Sequence, residues 1–321
     1  MSTENDRPRG SVMDYLRLFR VPNIFTAIAD TSMAFAVASV DVPNVAAFLL
    51  LILATSLLYT SGMVLNDMFD FEQDLKERPD RPLPAGRINR QTAKQLGISM
   101  LVAGMAAAPI AIWLQGGNVI SAAIFVGCLA ATIYIYDAGG KRTVAGPYMM
   151  GACRMLNILA VFCVADDFGF VSERGIATDK IMIAGGIGVY IAGITWFART
   201  EAAEASHRGR LSFALLHMLV GISLLMLFPE WSQGERKWYL PSESHFFLLI
   251  LILAIPVVRR AAIAIANPAP GKVQAVIKQG IFSLIVFDAG ITLMVAPWYF
   301  AIAILLLLIP TIILGTWIYS T

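Results

Sequence analysis

Apolar stretches long enough to cross a bilayer recur along the chain, near residues 22–40, 45–65, 93–114, 118–136, 147–165, 180–198, 211–228, 245–265, 279–296 and 298–318. A helix needs about 20 predominantly apolar residues to span the hydrocarbon core. These candidates, of which the ninth is short, predict an all-α, polytopic transmembrane bundle of nine to ten spans. No Gly/Ser-rich or Pro-rich linker separates them, so residues 1–321 read as one transmembrane domain, with 1–20 a polar segment ahead of the first span.

The distribution of basic residues gives the bundle a direction. One set of connections holds Arg7, Arg9, Arg17 and Arg20, then Lys76 through Lys94, Lys141 and Arg142, Arg199 to Arg210, and Arg259 to Lys278. The alternate set holds only Arg174, Lys180, Arg236 and Lys237, and Arg154 falls inside a span. By the positive-inside rule the N-terminus and every second loop after it are expected on the cytoplasmic side.

Composition agrees: 58% hydrophobic residues, 14% charged and a mean hydropathy of +0.70 leave too little polar surface for a soluble globule of 321 residues. A net charge of +2 carries little information by itself, and no nucleic-acid partner is expected. Ala36-Val37-Ala38 after a basic start resembles a signal cleavage site, but Asp30 interrupts the apolar run and the later spans need a first helix to set their parity. Cys128, Cys153 and Cys163 are odd in number and lie in expected spans, which implies no disulfide framework. The three histidines, His207, His217 and His245, lack zinc-ligand spacing.

The candidate chemistry starts where the second span ends, at Asn66-Asp67-Met68-Phe69-Asp70-Phe71-Glu72-Gln73-Asp74. If the helix continues, Asp67, Asp70 and Asp74 fall within about 60° of one face. Carboxylates so crowded repel one another unless a cation lies between them, and an oxygen-only ligand set suits Mg²⁺, which fills its remaining positions with water and substrate phosphates. A basic, proline-punctuated sequel follows, with Arg78, Arg81 and Arg87 among Pro79, Pro82 and Pro84. Metal and cations together describe a diphosphate site at a membrane surface.

This Asn-Asp-x-x-Asp-x-x-x-Asp spacing, followed by Arg-Pro-x-Arg-Pro-Leu-Pro-x-Gly, resembles the first signature of the UbiA superfamily of intramembrane prenyltransferases. The resemblance implies a helical bundle that holds Mg²⁺ and an isoprenoid diphosphate at its cytoplasmic end, the tail inside, and transfers the prenyl group to an aromatic or other lipophilic acceptor. It assigns Asp67, Asp70 and Asp74 to metal and catalysis, and Asn66, Arg78 and Arg81 to substrate. Tyr136 to Thr143 matches the family's Tyr/Lys loop loosely, with Tyr136 and Lys141 five apart instead of four; Lys141 and Arg142 lie on the correct side to reach phosphate oxygens.

Arg154 and Asn157, at i and i+3 in the fifth span, share a face that could line the cavity or reach the diphosphate. Asn23 and Asp30 lie on a first helix that lines the acceptor pocket in relatives. The usual second aspartate-rich run is depleted here: Thr195 to Glu204 retains Arg199, Glu201 and Glu204, with Glu201 left as the candidate ligand of a second metal. The wording of that segment, with the Tyr-Asp loop and Gly-x-Cys-Arg-x-x-Asn, resembles the EboC-like branch. Intramembrane Asp288 has no motif around it. Two other readings stand beside the enzyme: a catalytically impaired relative that binds isoprenoid lipid, and a transporter using Asp30, Arg154 and Asp288.

Overall fold

The computed structural model describes residues 10–38, 43–165, 177–201, 208–232 and 238–318, with side chains left aside at 200 and 201. Its helices, in chain order, are α1 (Val12–Leu18), α2 (Val21–Val37), α3 (Val45–Phe69), α4 (Phe71–Glu77), α5 (Arg90–Gln115), α6 (Val119–Ala138), α7 (Gly146–Phe162), α8 (Thr178–Glu201), α9 (Arg208–Leu227), α10 (Glu243–Ala266), α11 (Pro270–Val295), α12 (Trp298–Leu306) and α13 (Leu308–Trp317). Among the described residues, eight helices are long and apolar enough to cross a membrane, counting α12 and α13 as one broken span. The shorter α2 and α7 occupy the first and fifth expected spans. One expectation is corrected: the ninth stretch is not short, because Pro270 at the start of α11 lets the helix begin in the basic connection and run 26 residues.

Local chemistry sets the ends. Asn44 caps α3 by accepting from the backbone N–H groups of Ala46 and Ala47, and Asn89 caps α5 through Gln91. Gly116 closes α5 in the left-handed conformation at φ 82°. In α1, Ser11 and Asp14 form a reciprocal capping box. Burial pushes the Asp14 carboxyl up, but the Ser11 hydroxyl and backbone N–H, together with Arg87, pull it further down, so it rests below its ordinary value. Arg87 Nε donates to Asp14 Oδ1 at 2.7 Å and pins α1 to the basic loop.

Neighbouring helices close into a ring: α2 packs on α3, α3 on α5 and α6, then α7, α8, α9, α10 and α11 follow in turn, and α11 returns to α2. Contacts of α2 with α7 and of α8 with α11 cross the middle. The α12–α13 pair leans on α11 and α2 at the periphery. Lipid is as apolar as leucine, so such helices associate through close backbone approach. At the α7–α8 crossing, a Cβ on Gly151 would run into the carbonyl of Gly188. That approach packs the fifth span, which lines the cavity, closely against the sixth.

Candidate active site

The acidic run does not lie on one unbroken helix. α3 stops at Phe69, Asp70 sits at φ −84° and ψ 3°, and α4 starts afresh at Phe71. The carboxylates are met by cations, Asp67 and Asp74 sharing Arg81 and Asp70 holding Lys141. Asp67, 5% exposed, accepts from Arg20 Nη2 at 2.9 Å and from Arg81 Nη1 at 3.4 Å. The same Arg81 nitrogen donates to Asp74 Oδ2 at 2.9 Å, with Arg78 3.8 Å from the other Asp74 oxygen. Lys141 Nζ donates to Asp70 Oδ2 at 2.6 Å, and Arg142 lies 3.6 Å from Oδ1. The contacts of Arg20, Arg81 and Lys141 are stronger than surface ion pairs, because poorly exposed charges are poorly screened, whereas Arg78 and Arg142 are exposed.

The sequence assignments thus converge in large part. Asn66, Asp67, Asp70, Asp74, Arg78, Arg81, Lys141 and Arg142 meet at one end of the bundle. Arg199 joins them less directly, hydrogen-bonding the backbone carbonyl of Lys141 while its guanidinium lies 5.5 Å from the Trp196 ring centroid. Glu201 ends α8, and its side chain, like the whole of Glu204, lies outside the described residues.

Two participants escaped sequence reasoning. Arg20 reaches Asp67 from the α1–α2 junction, where its backbone is left-handed at φ 47°. That conformation costs a non-glycine residue roughly 1–2 kcal/mol and turns the chain sharply into α2. The only sequence signal is an arginine just before Val21-Pro22. Asp137, the second, accepts from Asn66 Nδ2 at 2.9 Å. Its signal was a carboxylate closing an apolar span, four residues before Lys141.

Whether these groups suit Mg²⁺ can be judged from their chemistry. Asp70 Oδ1 is buried and accepts no hydrogen bond, so it keeps a lone pair available, and Asp67 and Asp74 add further carboxylate oxygens. A hard, all-oxygen set of this kind fits Mg²⁺. Among the described residues, no three His, Cys, Asp or Glu side chains already stand grouped as a ligand cage. The site combines acids and bases in near balance instead.

Below this rim lies a cavity of about 70 Å³ lined by α2, α3, α6 and α7. Leu58, Met63, Leu129, Ile133 and Met150 make it largely apolar, Tyr59 and Tyr136 present rings, and Asp137, Arg154, Asn157 and Thr55 supply polar groups. Asp137 belongs both to this wall and, through Asn66, to the charged rim, which ties the two together.

Arg154 is held from behind. Its Nη1 donates to Asp30 Oδ2 at 2.6 Å and its Nη2 to Thr26 Oγ1 at 2.6 Å. Asp30 therefore does not line the cavity but anchors the arginine that does. Asn23 does not line the cavity either; its backbone carbonyl accepts from Thr26 Oγ1 at 2.8 Å. Asn157 closes a polar triangle with Thr31 and Thr55, in which Thr55 donates to Asn157 Oδ1 at 3.1 Å. Asp288 on α11 meets Asp30. Both Asp288 oxygens and Asp30 Oδ1 are buried without a hydrogen-bond donor.

With this geometry in hand, comparison with known proteins is informative. A model of the UbiA prenyltransferase family matches residues 26–269. Digeranylgeranylglyceryl phosphate synthase of Saccharolobus solfataricus is 34% identical over 30% of this chain and 34% of its own length. The Methanothermobacter thermautotrophicus protein of the same name is 27% identical over 74% of this chain and 84% of its own. The alignment with the first of these relatives thus spans only about a third of that protein. A UbiA homologue from Archaeoglobus fulgidus, solved bound to GPP and Mg²⁺, superposes with a TM-score of 0.56 at 13% identity, covering 91% of this chain and 99% of that one. A homologue from Aeropyrum pernix K1 gives 0.62 at 16% identity, covering 84% and 96%.

Proposed function

Because the chain belongs to the UbiA prenyltransferase family, we propose that it is an intramembrane prenyltransferase moving an isoprenoid group from its diphosphate to a lipophilic acceptor. The observation that carries this reading is the junction of a charged rim, Asp67, Asp70 and Asp74 with Arg20, Arg81 and Lys141, to an apolar cavity through the Asn66–Asp137 bond. The rim lies at the end of the bundle that the basic-residue pattern assigns to the cytoplasm.

Cleaving an allylic diphosphate leaves a negative leaving group and a carbocation, so the two products need opposite surroundings. Arg81 and Lys141, each 13% exposed by side chain, are already held in place by carboxylates and can turn donors toward phosphate oxygens. Arg20, Arg78 and Arg142 reinforce them. Asp67, Asp70 and Asp74 would hold Mg²⁺, with Glu201 as a candidate ligand of a second ion, and the metal would supply charge neutralisation on the leaving diphosphate. Below, apolar side chains exclude water from the cation, and the faces of Tyr59 and Tyr136 offer it electron density. The GPP and Mg²⁺ bound by the Archaeoglobus homologue, and the prenylated lipid in the name of the archaeal relatives, support a donor of this class.

The test is Mg²⁺-dependent binding of geranyl diphosphate to the purified protein, with Asp67→Asn and Asp70→Asn as variants. Each is expected to lose at least about tenfold in affinity, ~1.4 kcal/mol, while still inserting into membranes. Unchanged affinity in both would remove the metal and diphosphate assignment.

A further inference from the structure

Between α9 and α10, neither of which lines the cavity under the rim, runs a groove of about 570 Å³. The two helices meet at both of its ends. At the end of the bundle that carries the charged rim, Arg208 Nη2 donates to the carbonyl of Ala266 at 2.9 Å; at the other, Phe228 meets Phe246 edge to face with 5.1 Å between ring centroids. Between those contacts the floor is Ile222 and Ala254, each 4% exposed, while Leu219, Leu251 and Ile255 stand exposed along the edges. The groove stays open there because Ala254 brings so little side chain to it.

One charge belongs to this apolar track. Arg259 lines the groove about two turns before the end of α10, is exposed, and makes no hydrogen bond or ion pair with any described residue. A cation within a spanning helix calls for a partner. The helices that form the groove supply none: α9 and α10 carry Arg208, Arg210, Arg259 and Arg260 toward this end, and their one carboxylate, Glu243, opens α10 at the opposite end. Positive potential therefore gathers at the mouth with no acid on either helix to balance it. From Arg259 down to Phe247 the groove follows α10 for about 18 Å at roughly 1.5 Å per residue. One leaflet of a bilayer is about 15 Å deep, half of a hydrocarbon core of about 30 Å. Cation and apolar track thus have the spacing of a lipid phosphate and its acyl chain.

We propose that this groove binds one anionic glycerophospholipid of the surrounding bilayer, with its phosphate on Arg259 and one acyl chain lying between α9 and α10. An arginine that only snorkels to the interface would take any phosphate-bearing head group alike. Arginines without an acid at the mouth instead favour a lipid of net negative charge over a zwitterionic one, whose own ammonium they repel. The site is separate from the diphosphate rim and does not depend on the prenyltransferase reading.

The experiment is native mass spectrometry of the full chain in dodecyl maltoside micelles, titrated with palmitoyl-oleoyl phosphatidylglycerol or the matching phosphatidylcholine. The unmodified protein is expected to retain one phosphatidylglycerol with at least about tenfold preference, ~1.4 kcal/mol, over phosphatidylcholine. Arg259→Gln should lower phosphatidylglycerol affinity at least about tenfold, and Arg260→Gln, next to it but outside the groove, less than about threefold. Ala254→Phe should weaken both lipids by filling the floor; if that variant does not fold, the two glutamine variants decide the matter. Equal retention of the two lipids, equal losses in Arg259→Gln and Arg260→Gln, or undiminished binding in Ala254→Phe overturns the proposal. Displacement of the lipid by geranyl diphosphate also overturns it, since the groove would then belong to the donor's site, and so does a lipid-free pair of chains, which would seat a second copy on this face.

Discussion

Replacing Arg154 by leucine is the sharpest test of how the cavity floor is built. The guanidinium is 12% exposed and Asp30 is fully buried, with 2.6 Å between Nη1 and Oδ2. Removing one partner of a buried ion pair costs about 3–5 kcal/mol, because the remaining charge is stranded. A second route sets a ceiling on the stranding cost. Asp30 can instead take up a proton, and protonating a carboxyl of ordinary pKa ~3.9 at pH 7 costs roughly 1.36 × (7 − 3.9), about 4 kcal/mol. The cheaper route wins, so Arg154→Leu should destabilise by about 3–4 kcal/mol at pH 7. In the variant the folded state then holds a proton that the unfolded chain gives up, so its stability must fall as pH rises and recover as pH drops. At pH 5.5 the same arithmetic gives about 2 kcal/mol. Adding Asp30→Leu removes the stranded group and should return at least about 2 kcal/mol, a coupling readable from a double-mutant cycle. The assay is unfolding in mixed micelles titrated with SDS at both pH values. A loss below about 1 kcal/mol, or a loss that does not shrink at pH 5.5, would mean that water reaches Asp30 and that the pair is not the buried anchor described.

Other outcomes follow from the same geometry. If Glu201 holds a second metal ion, Glu201→Gln should cut Mg²⁺-dependent turnover by at least about tenfold, since the depleted run has no neighbouring aspartate to replace it; Glu204→Gln should matter less, and full turnover in Glu201→Gln would place all metal chemistry on the first acidic run. The broken α12–α13 span makes one crossing more than nine, so a C-terminal tag should be labelled from the cytoplasmic side only; labelling from outside alone would show that one of the last stretches does not cross.

The sequence by itself determined the architecture's class and the address of its chemistry. Apolar runs of spanning length admit little but helices, because no backbone group can be left unpaired in lipid. Each of the ten stretches from 22–40 to 298–318 corresponds to a helix, or in the last case to the α12–α13 pair. The acidic run and its basic sequel were legible because charges at the end of an apolar segment are costly and so demand a reason. Sequence distance hid the rest. A spacing of i, i+3, i+7 says nothing of a helix that breaks at Asp70, nor of the single Arg81 nitrogen that bridges Asp67 and Asp74. Arg20 lies 47 positions from Asp67, Asn66 lies 71 from Asp137, and Arg154 lies 124 from Asp30. Those pairs exist only because the ring of helices closes, bringing α2 against α3, α7 and α11. Intramembrane charge announces that a partner must exist, since leaving it alone is too expensive, and only tertiary packing decides which partner it is.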